Sequence, residues 1–192
     1  LETSEHKAHG STATTTLVLG DRLYCANVGD SRVLLCRGKT GIPLTVDHKP
    51  SRPDEQARIK SAGGFVINGR VMGELAVSRA FGDADFKQGI SSALQEEGME
   101  LPADTDADFE KPLIVAEPEV QSIVLVPEDR YLLLGCDGLF DVFQNDDLCA
   151  FICAEMDQHG DVQKCASALT NEAIRQRNSR DNVSVIIVVL NA

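Results

Sequence analysis

The chain has 192 residues, 43% of them apolar and 25% charged, and a formal net charge of −12. Length and composition suit one globular domain, 1–192, with a sizeable core. The acidic balance argues against a nucleic-acid or anionic-membrane surface. No run approaches the ~18 apolar residues of a membrane span, and no signal-peptide pattern opens the chain.

In chain order, the β-branched stretch Thr14 to Leu19 reads as a strand, with a turn at Gly20-Asp21 and a second strand from Leu23 to Val28. A tight turn at Gly29-Asp30-Ser31 leads to a strand over Arg32 to Cys36 and a short one over Ile42 to Val46, so the opening part reads as an antiparallel meander. Ser51-Arg52-Pro53-Asp54-Glu55 then has the marks of a helix start, with Pro in the first turn and acids near the N-terminus. That helix runs to about Ala62. Asn68-Gly69 predicts a small hairpin. Gly89 to Lys111, acidic and without a period, reads as a surface loop.

Leu113 to Ala116, Glu119 to Val126 and Arg130 to Cys136 read as strands. Asn145-Asp146-Asp147 caps a helix through Met156, and Asp161 starts a longer one to about Arg177. Val183 to Leu190 is aliphatic on both faces and is expected to be a central closing strand. Antiparallel strands with long helices near the end predict an α+β fold. The six cysteines sit in apolar runs without zinc-type pairing, and read as reduced core residues of a cytoplasmic or nuclear protein.

Tyr131 to Asp141 is the stretch around which the chemistry gathers. An apolar run stops at Asp137, Gly138 allows a sharp turn, and Asp141 follows one helical turn later on the same side. Two carboxylates converging at the mouth of a buried strand need a positive partner, and a hard divalent cation is the simplest. The plain alternative is that Asp137 caps the next helix and Asp141 is solvated. Asp30 and Asp181 also stand at strand ends, and in an antiparallel sheet such ends share an edge. Each by itself also fits an ordinary turn residue.

Seven blocks occur in sequence: Gly10-Ser11-Thr12-Ala13; Ala26 to Arg32; Asp47-His48-Lys49-Pro50; Arg58 to Gly64; Leu75 to Asp83; Cys136 to Asp141; and Asp181-Asn182-Val183-Ser184. In content and order they resemble the metal-dependent protein serine/threonine phosphatases of the 2C (PPM) family. The resemblance implies a layered β-sandwich of antiparallel sheets flanked by helices. It implies two Mg²⁺ or Mn²⁺ ions per complete site and a weaker third. Asp137 would bridge the pair, Asp181 would bind one ion, and Asp30 and Asp141 would join Asp137 at the third. Residues 50–111 would form a flap subdomain and surface loop. The partner would be a phosphoprotein, hydrolysed by metal-activated water.

The family's early motifs, which supply an acidic pair, a phosphate-binding Arg and a catalytic His, precede the first matched block and are absent here. The chain is therefore expected to be the C-terminal two-thirds of such a domain, inactive or nearly so alone, holding no more than one weak metal or pairing as a dimer through exposed sheet edges. The alternative function is a catalytically inactive scaffold or interaction fragment. His48 and Arg32 read as structural, Arg79 and Asp83 as a buried ion pair, and Cys136 as a small core residue.

Overall fold

The computed structural model describes residues 9–91, 100 and 105–190. Much of the expected surface loop, residues 92–99 and 101–104, lies outside the described residues, as does the polar start 1–8. The chain divides into two compact units. One comprises Leu1–Ala13, Val28–Asp30 and Asp47–Pro118, the other Thr14–Asn27, Ser31–Val46 and Glu119–Ala192.

The second unit is a sandwich. Strands β2 (Ala13–Leu19), β3 (Arg22–Val28) and β9 (Glu119–Val124) form a sheet in the order β2-β3-β9. Strands β4 (Arg32–Arg37), β5 (Thr40–Pro43), β10 (Asp129–Gly135) and β11 (Val185–Val189) form another, in the order β11-β10-β4-β5. All the pairings in this second sheet are antiparallel. Leu23 and Cys25 of β3 pack against Val33 and Leu35 of β4 and Leu132 of β10, making the core between the sheets. On the other face, Leu34, Cys36, Tyr131 and Leu133 meet Leu148, Cys149, Ile152, Cys165 and Leu169 of the helices α3 (Asn145–His159) and α4 (Val162–Asn171). β4 and β10 are thus the strands buried on both faces, which explains their unbroken aliphatic runs. Asp161 caps α4, its Oδ1 accepting from the amides of Gln163 (3.0 Å) and Lys164 (3.1 Å). The layered α+β sandwich is as the sequence leads one to expect.

The first unit holds α1 (Pro53–Ser61), the hairpin of β6 (Val66–Ile67) and β7 (Arg70–Val71), and the pair β1 (Gly10–Ser11) and β8 (Phe81–Gly82). Asn68 and Gly69 both have positive φ, as a tight primed turn requires. Ile59, Ala62, Val71, Ala80, Leu113 and Ile114 form its core. Glu55, only 1% exposed, lies among arginines: Arg79 Nη2 is 2.8 Å away, Arg58 Nη2 2.9 Å and Arg52 Nη2 3.6 Å.

Several expectations change. The opening strands do not stay in one meander, because the chain changes sheet between β3 and β4. β11 is not central. It ends its sheet, with β10 as its neighbour among the described residues, and Ile186 is 61% exposed. Aliphatic residues on both faces report what each face meets and say nothing about the strand's edge. Leu113 to Ala116 forms no strand, only an isolated parallel bridge between Arg79 and Val115. Arg79 pairs with Glu55 rather than with Asp83, whose carboxylate is packed against Gly10. Cys36 and Cys149 are disulfide-bonded, with Cα atoms 5.4 Å apart and a sequence separation of 113. Packing of α3 on β4 brings them together, which chain spacing could not reveal. The expectation of a reducing compartment loses that support.

Candidate metal centre

The stretch after β10 is shaped by burial on both sides of one carboxylate. Tyr131, Leu132 and Leu133 are buried before it, and Leu139, Phe140 and Phe143 after it. These anchors fix a single helical turn, α2 (Asp137–Phe140), and leave Asp137 half-buried where the strand leaves the core. The Asp141 amide donates to the Asp137 carbonyl at 2.8 Å, so the two aspartates are one turn apart, with Asp141 exposed. Gly138 is helical and takes no positive φ. It is needed for space: a Cβ there would collide with the Asn182 carbonyl oxygen and lie 3.1 Å from Asp181 Cβ.

That close approach docks the loop carrying Asp181 on the turn carrying Asp137. The β10–β11 ladder ends at Gly135 and Val185, and the contact continues beyond it through other groups. The Cys136 amide donates to Ser184 O at 3.3 Å. Cys136 Sγ donates to Asn182 O at 3.1 Å and accepts from the Ser184 amide at 3.2 Å. Ser179 Oγ donates to Gly138 O at 2.7 Å. Sequence reading names the aspartates but misses these clamps. The small polar residues around Asp181 are the only sign of them.

Asp137 Oδ1 accepts from the Gly138 amide at 2.9 Å, and Asp181 Oδ1 from the Asn182 amide at 2.6 Å. Among the described residues, the second oxygen of each has no hydrogen-bond partner, and no Lys, Arg or His pairs with Asp137, Asp141 or Asp181. Carboxylate oxygens left open in this way have the donor chemistry of a Mg²⁺ or Mn²⁺ site. The set is not closed: among the described residues, no three His, Cys, Asp or Glu side chains gather tightly enough to hold a metal ion.

Asp30 belongs to the other unit. Asp30 is 5% exposed, and its carboxylate is salt-bridged to Lys49. Beside it the Gly29 amide lies 3.0 Å from Nδ1 of the fully buried His48, whose carbonyl accepts from the Ser78 hydroxyl at 2.9 Å. Arg32, in the sandwich, lies over the Phe140 ring at 4.6 Å and donates to Asn145 Oδ1 at 3.2 Å. It supports the outer side of the Asp137 turn.

Comparison with known proteins gives the family. The family model of protein phosphatase 2C matches residues 1–183, and the chain belongs to that family. It is 36% identical over 189 residues to a probable protein phosphatase 2C of Paramecium tetraurelia, covering 94% of this chain and 58% of the relative. It is 40% identical over 190 residues to another from Oryza sativa subsp. japonica, covering 97% and 49%. A crystal structure of a phosphatase from a pathogenic strain of Toxoplasma gondii superposes with a TM-score of 0.71 at 32% identity, covering 88% of this chain and 47% of that one. The chain thus spans about half the length of the curated relatives it matches.

Proposed function

We propose that this chain carries part of the site of a Mg²⁺- or Mn²⁺-dependent phosphoserine/phosphothreonine phosphatase. The observation behind the reading is the docking of the Asp181 loop on the Asp137 turn, with carboxylate oxygens left open on both. Asp137 and Asp181 hold the metal, and Asp141, one turn on, adds negative charge beside them. Bound Mg²⁺ or Mn²⁺ would supply a water of lowered pKa and neutralise the phosphoryl oxygens. The chain's own residues fix the two loops and bury the apolar flanks of Asp137. The substrate class is a phosphoprotein, taken from family membership.

The open donor set favours a second reading, in which the fold serves as a phosphatase-like scaffold. The two separate in an assay of the full-length protein on a phosphothreonine peptide with and without Mn²⁺. The phosphatase reading predicts Mn²⁺-dependent hydrolysis that falls by more than about 100-fold in Asp137→Asn, since loss of groups merely supporting a ligand already costs ~10–100-fold. Turnover near the parent's rate in that variant would sink the assignment of Asp137. Absence of hydrolysis by the parent protein would favour the scaffold. The 192-residue chain alone is expected to hydrolyse little or nothing in the same assay.

A further inference from the structure

Cys136 belongs to neither apolar cluster of the sandwich, although it directly follows the buried strand β10. It is half-buried, and its sulfur is engaged on both sides by the neighbouring loop, donating to Asn182 O at 3.1 Å and accepting from the Ser184 amide at 3.2 Å. A thiol is a weak donor and a weak acceptor at once, which these two contacts require. An apolar residue of the same size would leave the loop's carbonyl and amide to water.

Position gives the contacts their meaning. Cys136 is the residue before Asp137, and Asn182 is the residue after Asp181. The backbone ladder ends at Gly135 and Val185, and beyond it one long main-chain bond remains here, from the Cys136 amide to Ser184 O at 3.3 Å. The sulfur bridges the next step, and the Ser179 hydroxyl holds the far side through Gly138 O at 2.7 Å. The placing of the Asp181 loop on the Asp137 turn therefore depends in part on a side chain that touches neither carboxylate. We infer that Cys136 is a positioning residue for the metal: its thiol fixes the Asp181 loop on the Asp137 turn. The inference rests on the reading of Asp137 and Asp181 as metal-holding residues.

The test is Mn²⁺ binding by calorimetry to the full-length protein and to its C136S, C136A and Asp137→Asn variants, with thermal unfolding of each measured without metal. C136A is expected to bind Mn²⁺ about tenfold more weakly, the usual cost of losing a group that orients a ligand. Its melting temperature should stay close to the parent's. C136S, whose hydroxyl also donates and accepts, should bind within about threefold of the parent. Asp137→Asn should lose the binding. C136A binding like the parent, or C136S weakened as much as C136A, would overturn the positioning role while the metal reading stands. Parent-like binding in Asp137→Asn, or no binding by the parent, would overturn both. If C136A does not fold, C136S decides alone: a loss beyond about tenfold in the folded variant refutes the inference.

Discussion

Gly138 and Asn182 stand so close that no side chain fits between them: a Cβ on Gly138 would collide with the Asn182 carbonyl oxygen. Two loops from separate sequence blocks, Cys136 to Asp141 and Asp181 to Ser184, are thereby brought into contact. Gly138→Ala should force them apart and cost ~1–3 kcal/mol of stability, the usual range for overpacking. Mn²⁺ affinity should fall along with it. Chemical denaturation with calorimetry checks both, and a variant with parent stability and affinity would show that the loops have slack.

Glu55 is a buried carboxylate of the first unit held by Arg58 and Arg79. Burial by itself pushes its carboxyl up; hydrogen bonds from Arg79, Arg58 and Ser78 outweigh this and lower the pKa from 4.5 to about 2. A folded-state pKa below the unfolded value gives stability that is present above about pH 4.5 and lost as pH falls towards 2. The contribution is on the order of 3 kcal/mol. Glu55→Gln should remove this acid sensitivity and cost ~3–5 kcal/mol at pH 7 by taking the carboxylate from the half-buried Arg58 and Arg79. Urea midpoints across pH 3–7 would test it. A parallel pH dependence in parent and variant would contradict it.

The disulfide Cys36–Cys149 ties β4 to α3 across a long stretch of chain. Reduction should lower stability by ~2–4 kcal/mol. Intact mass with and without reductant under denaturing alkylation, followed by melting of both forms, tests this. Full alkylation of every cysteine without reductant would show that the bond is absent.

β11 ends its sheet with Ile186 61% exposed, and Leu17 and Leu19 of β2 are 61% and 66% exposed. Open aliphatic edges pair readily with other chains. The 192-residue chain should therefore self-associate in solution, and Ile186→Lys should shift it towards monomer. Sedimentation equilibrium decides. A parent chain that stays monomeric at high concentration would refute this expectation.

Local signals in the sequence carried far. Asn68-Gly69 gave its hairpin, Asp161 its helix cap, and the Tyr131 to Asp141 run its strand, turn and helical turn, because each depends on residues a few positions apart. What stayed hidden depends on tertiary packing. The Cys36–Cys149 bond needs α3 laid on β4. Chain spacing puts Asp83 next to Arg79, whereas α1 brings Glu55 to it from 24 residues upstream. The edge position of β11 depends on neighbours that its own pattern cannot encode. For the site, the aspartates were legible from their motif, but the clamps at Cys136 and Ser179 were not, since a cysteine beside an apolar run looks like core. Gly138 was legible as necessary but for the wrong reason, being required for close approach and not for its turn.

The most direct test of the account is a crystal structure of the chain grown in saturating Mn²⁺, with anomalous scattering used to locate the ion. An ion is expected within ~2.0–2.4 Å of carboxylate oxygens of Asp137 and Asp181 together, completed by water. An ion bound elsewhere, or an empty Asp137–Asp181 pair at saturating metal, would contradict it.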